Sequence, residues 1–222
     1  MNRPTSPEIY GDRRWRMIEN QLRPSGVNDL PLLAAFAETP REAFVEPAFA
    51  SLAYLDRDVP ALQGAGRLLL APASLGRLLQ AAKPQPGERI LDVAGGSGYG
   101  AAILSRLGAR VTALETAASG QGANLLLAGR PGVDVVAGEL PAGLPAKAPF
   151  DAIVVNGAFE VWPEQLIAQL AEGGRLVGFD ATFPAPKGVL IEKAGGAASR
   201  RALFDAAAPR LDAFRRPAQF AF

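Results

Sequence analysis

Apolar residues recur every three to four positions along the first part of the chain, a spacing typical of amphipathic helices. The pattern is clearest in IYGDRRWRMIENQL (9–22) and DLPLLAAFAET (29–39). Prolines, which end or kink helices, interrupt it at Pro24, Pro40, Pro47, Pro60 and Pro72. Residues 1–83 are therefore predicted to form an N-terminal helical extension.

From Arg89 onward the pattern changes to short runs rich in valine, isoleucine and leucine, which predict buried parallel strands. The runs are RILDV, RVTALE, VDVVAG, FDAIVV and GGRLVGF, and helix-length segments separate them at Tyr99–Leu107, Ala118–Ala128 and Pro163–Glu172. This alternation predicts an α/β fold with a doubly wound, mostly parallel sheet. The final segment GVLIEKAGGAASRRALFDA predicts an antiparallel hairpin that turns at AGGA. Residues 84–222 are predicted to form one globular unit.

Composition narrows the possible chemistry. The chain has 222 residues, 49% of them hydrophobic, and a net charge of +1, which favours one substantial core and argues against a nucleic-acid-binding surface. It has no cysteine and no histidine, so disulfides, thiolate metal sites and Ser-His or Cys-His catalytic pairs are excluded. No metal site is predicted. No apolar segment is long enough to cross a bilayer, so we expect a cytoplasmic protein without membrane contact, as a monomer or homodimer.

The stretch LDVAGGSGYG (91–100) joins the first predicted strand to a helix. A glycine-rich turn at this point of a doubly wound sheet lets a ligand approach the backbone closely. The second strand ends at Glu115, followed by Thr116, and an acid there can accept hydrogen bonds from both ribose hydroxyls. The alternative is a tight turn with acids that only cap helices. The candidate cofactor-binding residues in these two segments are Asp92, Ala94, Gly96, Ser97, Gly98, Tyr99, Glu115 and Thr116.

Two further observations concern which ribose-bearing ligand binds. Asp92 precedes the glycines, where a cationic, methionine-type ligand would require a carboxylate. Glu139 follows the third strand, where an adenine amino group would lie in a methyltransferase; an ordinary solvated acid is the alternative. A nicotinamide oxidoreductase is less favoured, because the chain has no histidine and only four lysines to serve as a proton donor.

Segments from Met17 to the C-terminus, in one order, carry a family resemblance. They are MIENQLRPSGVND (17–29), TPREAFVEP (39–47), AYLD (53–56), LDVAGGSGYGAAIL (91–104), APFDAIVVNGA (148–158), EGGRLV (172–177) and LFDA (203–206). Together they resemble the protein-L-isoaspartate (D-aspartate) O-methyltransferase family. The resemblance implies a Rossmann-like methyltransferase fold with S-adenosylmethionine as the cofactor. It also implies that the partner is a protein or peptide with an isoaspartyl-type carboxylate.

The chain departs from the family in the loop that, by this resemblance, approaches the methyl acceptor. The family has Gly-Gln-Thr-Ile-Ser-Gln-Pro, whereas this chain has GRLLLAP (66–72), with Leu68 at the threonine position and Leu70 at the serine position. Arg67 is the candidate replacement, because a guanidinium can hold a carboxylate with two hydrogen bonds; the alternative is a surface arginine without a role. Asn156, at the end of the fourth strand, either faces the transferred methyl group or caps the next turn. Arg67, Leu70 and Asn156 are thus the candidate catalytic residues.

The chemistry is compatible with the absence of histidine. Methyl transfer from a sulfonium depends largely on placement of the reactants, and a carboxylate, whose ordinary pKa is about 4, arrives already ionised. We therefore predict a carboxyl methyltransferase that acts on damaged protein or peptide. The alternatives are a cofactor-binding homologue that methylates another acceptor or is inactive and, more distantly, an NAD-dependent oxidoreductase.

Overall fold

The computed structural model describes residues 7–206 and 208–217. Residues 1–6 of the predicted extension, and residues 207 and 218–222 of the predicted globular unit, lie outside the described residues. In the part described, no helix is long and apolar enough to cross a membrane.

The N-terminal region is mainly helical, as the sequence predicts. Asp29 is the N-cap of the helix α2 (Leu30–Glu38), and its carboxylate accepts a hydrogen bond from the Leu32 amide at 2.8 Å. The sequence pattern did not predict the short antiparallel pair β1 (Val59–Pro60) and β2 (Leu68–Leu69). The helices are α1 (Pro7–Met17), α2 (Leu30–Glu38) and α3 (Pro72–Ala82), with a π-helical turn at Ile18–Leu22 and 3-10 turns at Arg41–Phe44 and Pro47–Leu52.

One sheet contains the remaining strands: β3 (Arg89–Val93), β4 (Arg110–Glu115), β5 (Val133–Ala137), β6 (Phe150–Phe159), β7 (Leu170–Asp180), β8 (Lys187–Ala194) and β9 (Ala197–Asp205). Their order across the sheet is β5-β4-β3-β6-β7-β8-β9. Strands β3 to β7 pair in parallel, and β8 and β9 add an antiparallel hairpin at one edge. The hairpin turns at Gly195 and Gly196, with φ of +60° and +75°, and two positive φ angles in a row are what a tight hairpin turn requires. The predicted fold class is confirmed.

Both faces of strands β3, β4 and β6 are buried, which explains their unbroken apolar runs. Most of the edge strand β9 is exposed. Ile90 and Val154 point to one face and belong to a cluster that also contains residues of α2, α3 and the helix that follows β3. Leu91 and Ile153 point to the other face and pack with residues of the helix before β7 and of the C-terminal segment (208–217). The N-terminal helices therefore share one core with the sheet. The remaining helices are α4 (Tyr99–Arg106), α5 (Gln121–Leu127) and α6 (Glu164–Ala168), with 3-10 turns at Pro145–Lys147 and Asp212–Phe214.

The last predicted helix is shorter in the structure than in the sequence analysis. The pattern predicts Pro163–Glu172, but α6 ends at Ala168 and β7 begins at Leu170. Leu170 pairs with Phe150 across the sheet, ahead of a register shift. Its apolar side chain therefore fills a strand position that the helical pattern could not distinguish from a helix face.

Candidate functional site

The candidate site lies where the order of strands reverses. The chain runs from β3 to β4 and β5 on one side, then crosses back to place β6 on the other side of β3. Ligands of open α/β sheets bind at such switch points, outside the carboxyl ends of the strands. Here Asp92 and Glu115 lie at the ends of β3 and β4. The prediction that Asn156 ends its strand is wrong, because β6 continues to Phe159. Asn156 follows Val155, the partner of Val93 at the end of β3, so the topology still brings the three candidate residues together.

The turn after β3 depends on its glycines. Gly96 and Gly98 have φ of +62° and +86°, a left-handed conformation that glycine adopts without strain. A Cβ on Gly98 would lie 2.4 Å from a Leu127 methyl carbon, so α5 can pack on the turn only because that side chain is absent. Ala94 also has a positive φ, +60°, which is uncommon for a residue other than glycine. The turn is therefore a closely packed backbone surface rather than a loose loop.

The Glu115 carboxylate holds this turn in place. Its Oε1 accepts a hydrogen bond from the Gly96 amide at 2.7 Å, and its Oε2 accepts one from the Ser119 hydroxyl at 2.7 Å. Oε2 also accepts from Arg67 Nε and from the Thr116 amide, both at 3.2 Å. Glu115 is almost fully buried, so these hydrogen bonds replace the water that the charged group has lost.

The Asp92 carboxylate is fully buried beside the turn. Its Oδ1 accepts a hydrogen bond from Asn156 Nδ2 at 2.7 Å, and the same amide nitrogen donates to the Val93 carbonyl at 3.0 Å. Oδ2 has no hydrogen-bond partner among the described residues. Burial raises the pKa of Asp92 to about 7; the Asn156 hydrogen bond opposes this shift and the nearby Glu115 charge adds to it. Asn156 thus orients an acid that keeps one acceptor atom free.

Two residues of the glycine stretch face the core. The Ser97 hydroxyl donates to the Phe44 carbonyl, which ties the turn to the N-terminal region. The Tyr99 ring is buried, with its centroid 6.1 Å from that of Phe36 and 5.4 Å from that of Phe44. Their predicted contact with a cofactor stays a prediction, and the contacts that the structure shows for both side chains are structural.

The predicted adenine side is an open depression of about 380 Å³. Thr116 and Glu139 lie in its wall together with Gly138 and, from the C-terminal segment, Ala213. The Thr116 hydroxyl lies 2.6 Å from the Ser119 hydroxyl, so it belongs to the same hydrogen-bonded group as Glu115. Glu139 lies at an exposed position, and its predicted contact with an adenine stays a prediction.

The hairpin β1–β2 carries the segment that departs from the family. A Cβ on Gly96 would lie 2.9 Å from the Ala61 Cβ and 3.3 Å from the Arg67 Cβ, so this hairpin lies directly against the glycine turn. Leu70 is buried in the core, and its carbonyl accepts a hydrogen bond from Arg41 Nη2 at 2.7 Å. Leu68 is half-buried. Of the candidate residues in the hairpin, Arg67 is the one whose side chain reaches the switch point.

The sequence analysis missed the C-terminal segment as part of this site. The Ala158 amide donates to the Pro209 carbonyl at 2.7 Å, and the Leu211 amide donates to the Ala158 carbonyl at 3.0 Å. Leu211 and Phe214 are buried in the cluster that contains Ala94. The segment thus runs beside the end of β6, adjacent to the β3 turn. The large apolar residues of RLDAF (210–214) are too few to define a helix or strand period.

Two solved structures share the fold of this chain. One protein-L-isoaspartate O-methyltransferase matches with a TM-score of 0.76 at 23% identity, over 91% of this chain and 65% of that chain. A Plasmodium falciparum protein, assigned as a β-aspartate methyltransferase and solved in complex with S-adenosyl-L-homocysteine, matches with a TM-score of 0.72 at 22% identity. That match covers 89% of this chain and 97% of the other. At these identities the two structures show a shared fold.

Sequence comparison identifies the family. A protein-L-isoaspartate O-methyltransferase of Methylorubrum populi is 44% identical over 166 residues, which are 74% of this chain and 77% of the relative. The enzyme of the same name from Aeropyrum pernix is 44% identical over 176 residues, or 76% of this chain and 66% of the relative. Neither relative supports the oxidoreductase alternative. The family model for protein-L-isoaspartate(D-aspartate) O-methyltransferase matches residues 13–178, and the chain therefore belongs to that family.

Proposed function

We propose that this protein is an S-adenosylmethionine-dependent methyltransferase that acts on the carboxylate of an isoaspartyl residue in a protein or peptide. The observation that carries the proposal is the convergence of Asp92, the glycine turn and Glu115 at one switch point in a member of this family.

The residues at the switch point fit this cofactor. Glu115 is an ionisable acceptor beside the glycine turn and suits the two ribose hydroxyls. Asp92 Oδ2 is a buried acceptor without a described partner, and a buried acceptor of this kind favours a donor such as an ammonium group. The depression at Thr116 and Glu139 suits a flat adenine. When bound, S-adenosylmethionine would supply an electrophilic methyl group on a sulfonium.

The acceptor side of the site needs to position the methyl acceptor but does not need to remove a proton from it. A carboxylate is ionised at neutral pH and can attack the methyl carbon directly as the sulfur leaves, with no proton to remove. We assign Arg67 to the acceptor side because it is the cation on the hairpin beside the glycine turn. Asn156 serves as a positioning residue through its hydrogen bond to Asp92.

The leucines of the hairpin limit what the acceptor pocket can do. Family members have threonine and serine hydroxyls where this chain has Leu68 and Leu70, so two donors to a charged acceptor are missing. Each such hydrogen bond is worth about 1.5 to 3 kcal/mol. We therefore expect slower or less selective methylation of isoaspartyl peptides than in relatives that keep the hydroxyls. The same leucines favour a second candidate function, a methyltransferase with another acceptor.

A methylation assay with a matched peptide pair tests the proposal. One peptide carries an isoaspartyl residue and the other has aspartate at the same position. We expect labelled methyl groups from S-adenosylmethionine to appear on the isoaspartyl peptide alone, as a base-labile ester. Binding of S-adenosylhomocysteine without methylation of either peptide would support the second candidate. Absence of binding would contradict the assignment of the cofactor.

Replacing Gly96 by valine tests the turn as a cofactor surface. The new side chain would meet Ala61, 2.9 Å from the Cβ position, and would strain a φ of +62°. We expect S-adenosylhomocysteine binding to weaken by more than about a hundredfold, or about 2.7 kcal/mol, in a calorimetric titration. Gly129→Val is the matched control, since Gly129 has a φ of +72° but no atom within 4 Å of its Cβ position. Unchanged affinity in Gly96→Val would contradict the assignment.

A further inference from the structure

Arg67 and Glu115 form a contact across the candidate cofactor site. Arg67 Nε lies 3.2 Å from Glu115 Oε2, and the two side chains are 18% and 2% exposed. The arginine lies 48 residues before the glutamate and reaches it because the β1–β2 hairpin lies on the glycine turn. In the described part of the chain, Glu115 is the one acid within ion-pair distance of Arg67.

The Glu115 carboxylate already has donors on both oxygens. The Gly96 amide and the Ser119 hydroxyl donate at 2.7 Å, and Arg67 Nε and the adjacent Thr116 amide donate at 3.2 Å. A ribose with two free hydroxyls would bring two more donors to the same two oxygens. The Arg67 bond is long, comes from a flexible side chain and belongs to a separate hairpin. It is therefore the bond that such a ligand displaces most easily.

We propose that Arg67 is a specificity-determining residue that competes with the cofactor ribose for Glu115 and, once displaced, pairs with the carboxylate of the methyl acceptor. The proposal rests on the proposed function. It assigns one guanidinium to two successive partners, an internal acid before the cofactor binds and an external acid afterwards.

The exchange of partners explains why a carboxylate is the favoured acceptor. A guanidinium stays charged at every relevant pH. The paired Arg67 side chain is only 18% exposed, so separation from Glu115 would leave a largely buried charge without its counterion. Leaving such a charge unpaired is unfavourable. An ionised acceptor restores the pair, whereas a neutral hydroxyl or amide does not. Binding of the cofactor and binding of an anionic acceptor should therefore strengthen each other by the same factor.

Arg67→Met tests the competition, because methionine keeps an unbranched apolar stem beside Gly96 and removes the charge. We expect this variant to bind S-adenosylhomocysteine about tenfold more tightly than the unmodified protein in a calorimetric titration. The ligand-free variant should unfold at a lower temperature, since Glu115 loses a partner, and the ligand should raise its unfolding temperature by more than it does in the unmodified protein.

Arg14→Met is the matched control. Arg14 pairs with Glu42 at the same distance, 3.2 Å, with side-chain exposures of 18% and 17%, but it lies on α1 away from Glu115. We expect a lower unfolding temperature and an unchanged affinity for S-adenosylhomocysteine. If Arg67→Met and the unmodified protein bind the ligand equally, the competition is refuted while the proposed function stands. If neither binds it, the proposed function itself fails.

A second experiment tests whether Arg67, once displaced from Glu115, pairs with the acceptor carboxylate. Affinity for the isoaspartyl peptide is measured with and without saturating S-adenosylhomocysteine. We expect the ligand to tighten peptide binding by about three- to tenfold in the unmodified protein and to have no effect in Arg67→Met. A ligand-independent peptide affinity in the unmodified protein would refute the second pairing of Arg67. If the ligand tightens peptide binding equally in both proteins, the effect comes from a group other than Arg67 and the second pairing of Arg67 is refuted.

Discussion

Replacing Glu115 by alanine is expected to weaken S-adenosylhomocysteine binding by more than about a hundredfold. Two hydrogen bonds from ribose hydroxyls to a buried carboxylate are worth about 1.5 kcal/mol or more each, and each 1.4 kcal/mol is tenfold in affinity. The substitution also removes the acceptor that holds the Gly96 amide at 2.7 Å, so the glycine turn loses its support. Calorimetric titration measures the affinity, and circular dichroism verifies that the variant is folded.

Glu164→Ala is the control for this experiment. Glu164 is an exposed acid in the first turn of α6 and takes no part in the hydrogen bonds at the switch point. Its replacement changes the net charge by the same amount and should leave the affinity unchanged. Binding by Glu115→Ala that matches this control would show that the ribose lies elsewhere, and the assignment of the site would be wrong.

The two acids were predictable because they depend on strand ends alone. Once RILDV and RVTALE are recognised as neighbouring parallel strands, Asp92 and Glu115 must emerge at the same edge of the sheet. The glycine turn follows from the same reasoning, since Gly96 and Gly98 adopt conformations that other residues rarely do. For these residues, local pattern and topology fix the position with no knowledge of distant packing.

The contacts that close the site were not predictable in this way. Strands β1 and β2 have two residues each, too few to show alternation, and the prolines around them mimic helix breaks. The position of Arg67 beside Glu115 depends on how this hairpin packs on the Gly96 turn. That packing is a long-range property, because it joins segments that no sequence spacing relates.

The C-terminal segment shows the same limit. Leu211 packs so closely on β6 that a Cβ on Gly157 would lie 2.7 Å from its Cγ. Gly157 in VVNGA is therefore required by the close packing of Leu211. One side of the site is formed by the C-terminal segment, which comes after the last strand of the sheet. A pattern of strands and helices predicts where a sheet opens. It does not predict which loop or tail covers the opening, because these contacts depend on side-chain shape rather than on period.

Lowering the pH is expected to weaken S-adenosylhomocysteine binding through Asp92. Burial raises the pKa of this acid from 3.8 to about 7, so below neutrality the ligand-free protein holds a proton there. An ammonium group binds the ionised form, and below the pKa each pH unit lowers the ionised fraction about tenfold. Between pH 7 and pH 5 the affinity should therefore fall about fiftyfold. Asp92→Asn should bind weakly at every pH and show no such slope.

The same pKa shift has an opposite effect on the stability of the ligand-free protein. Between pH 3.8 and about 7 the folded state keeps a proton that the unfolded state has released, so the Asp92 contribution to stability falls as the pH rises. Above neutrality Asp92 is ionised in both states, and the free energy of unfolding no longer falls through this group as the pH rises.

Unfolding temperatures measured from pH 5 to pH 8 should decline more steeply for the unmodified protein than for Asp92→Asn. Asp180→Asn, which alters a buried acid at the end of β7 paired with Arg200, controls for loss of a buried charge. Equal slopes in the unmodified protein and Asp92→Asn would show that Asp92 is ionised throughout, and a pH dependence of ligand binding would then arise from another group.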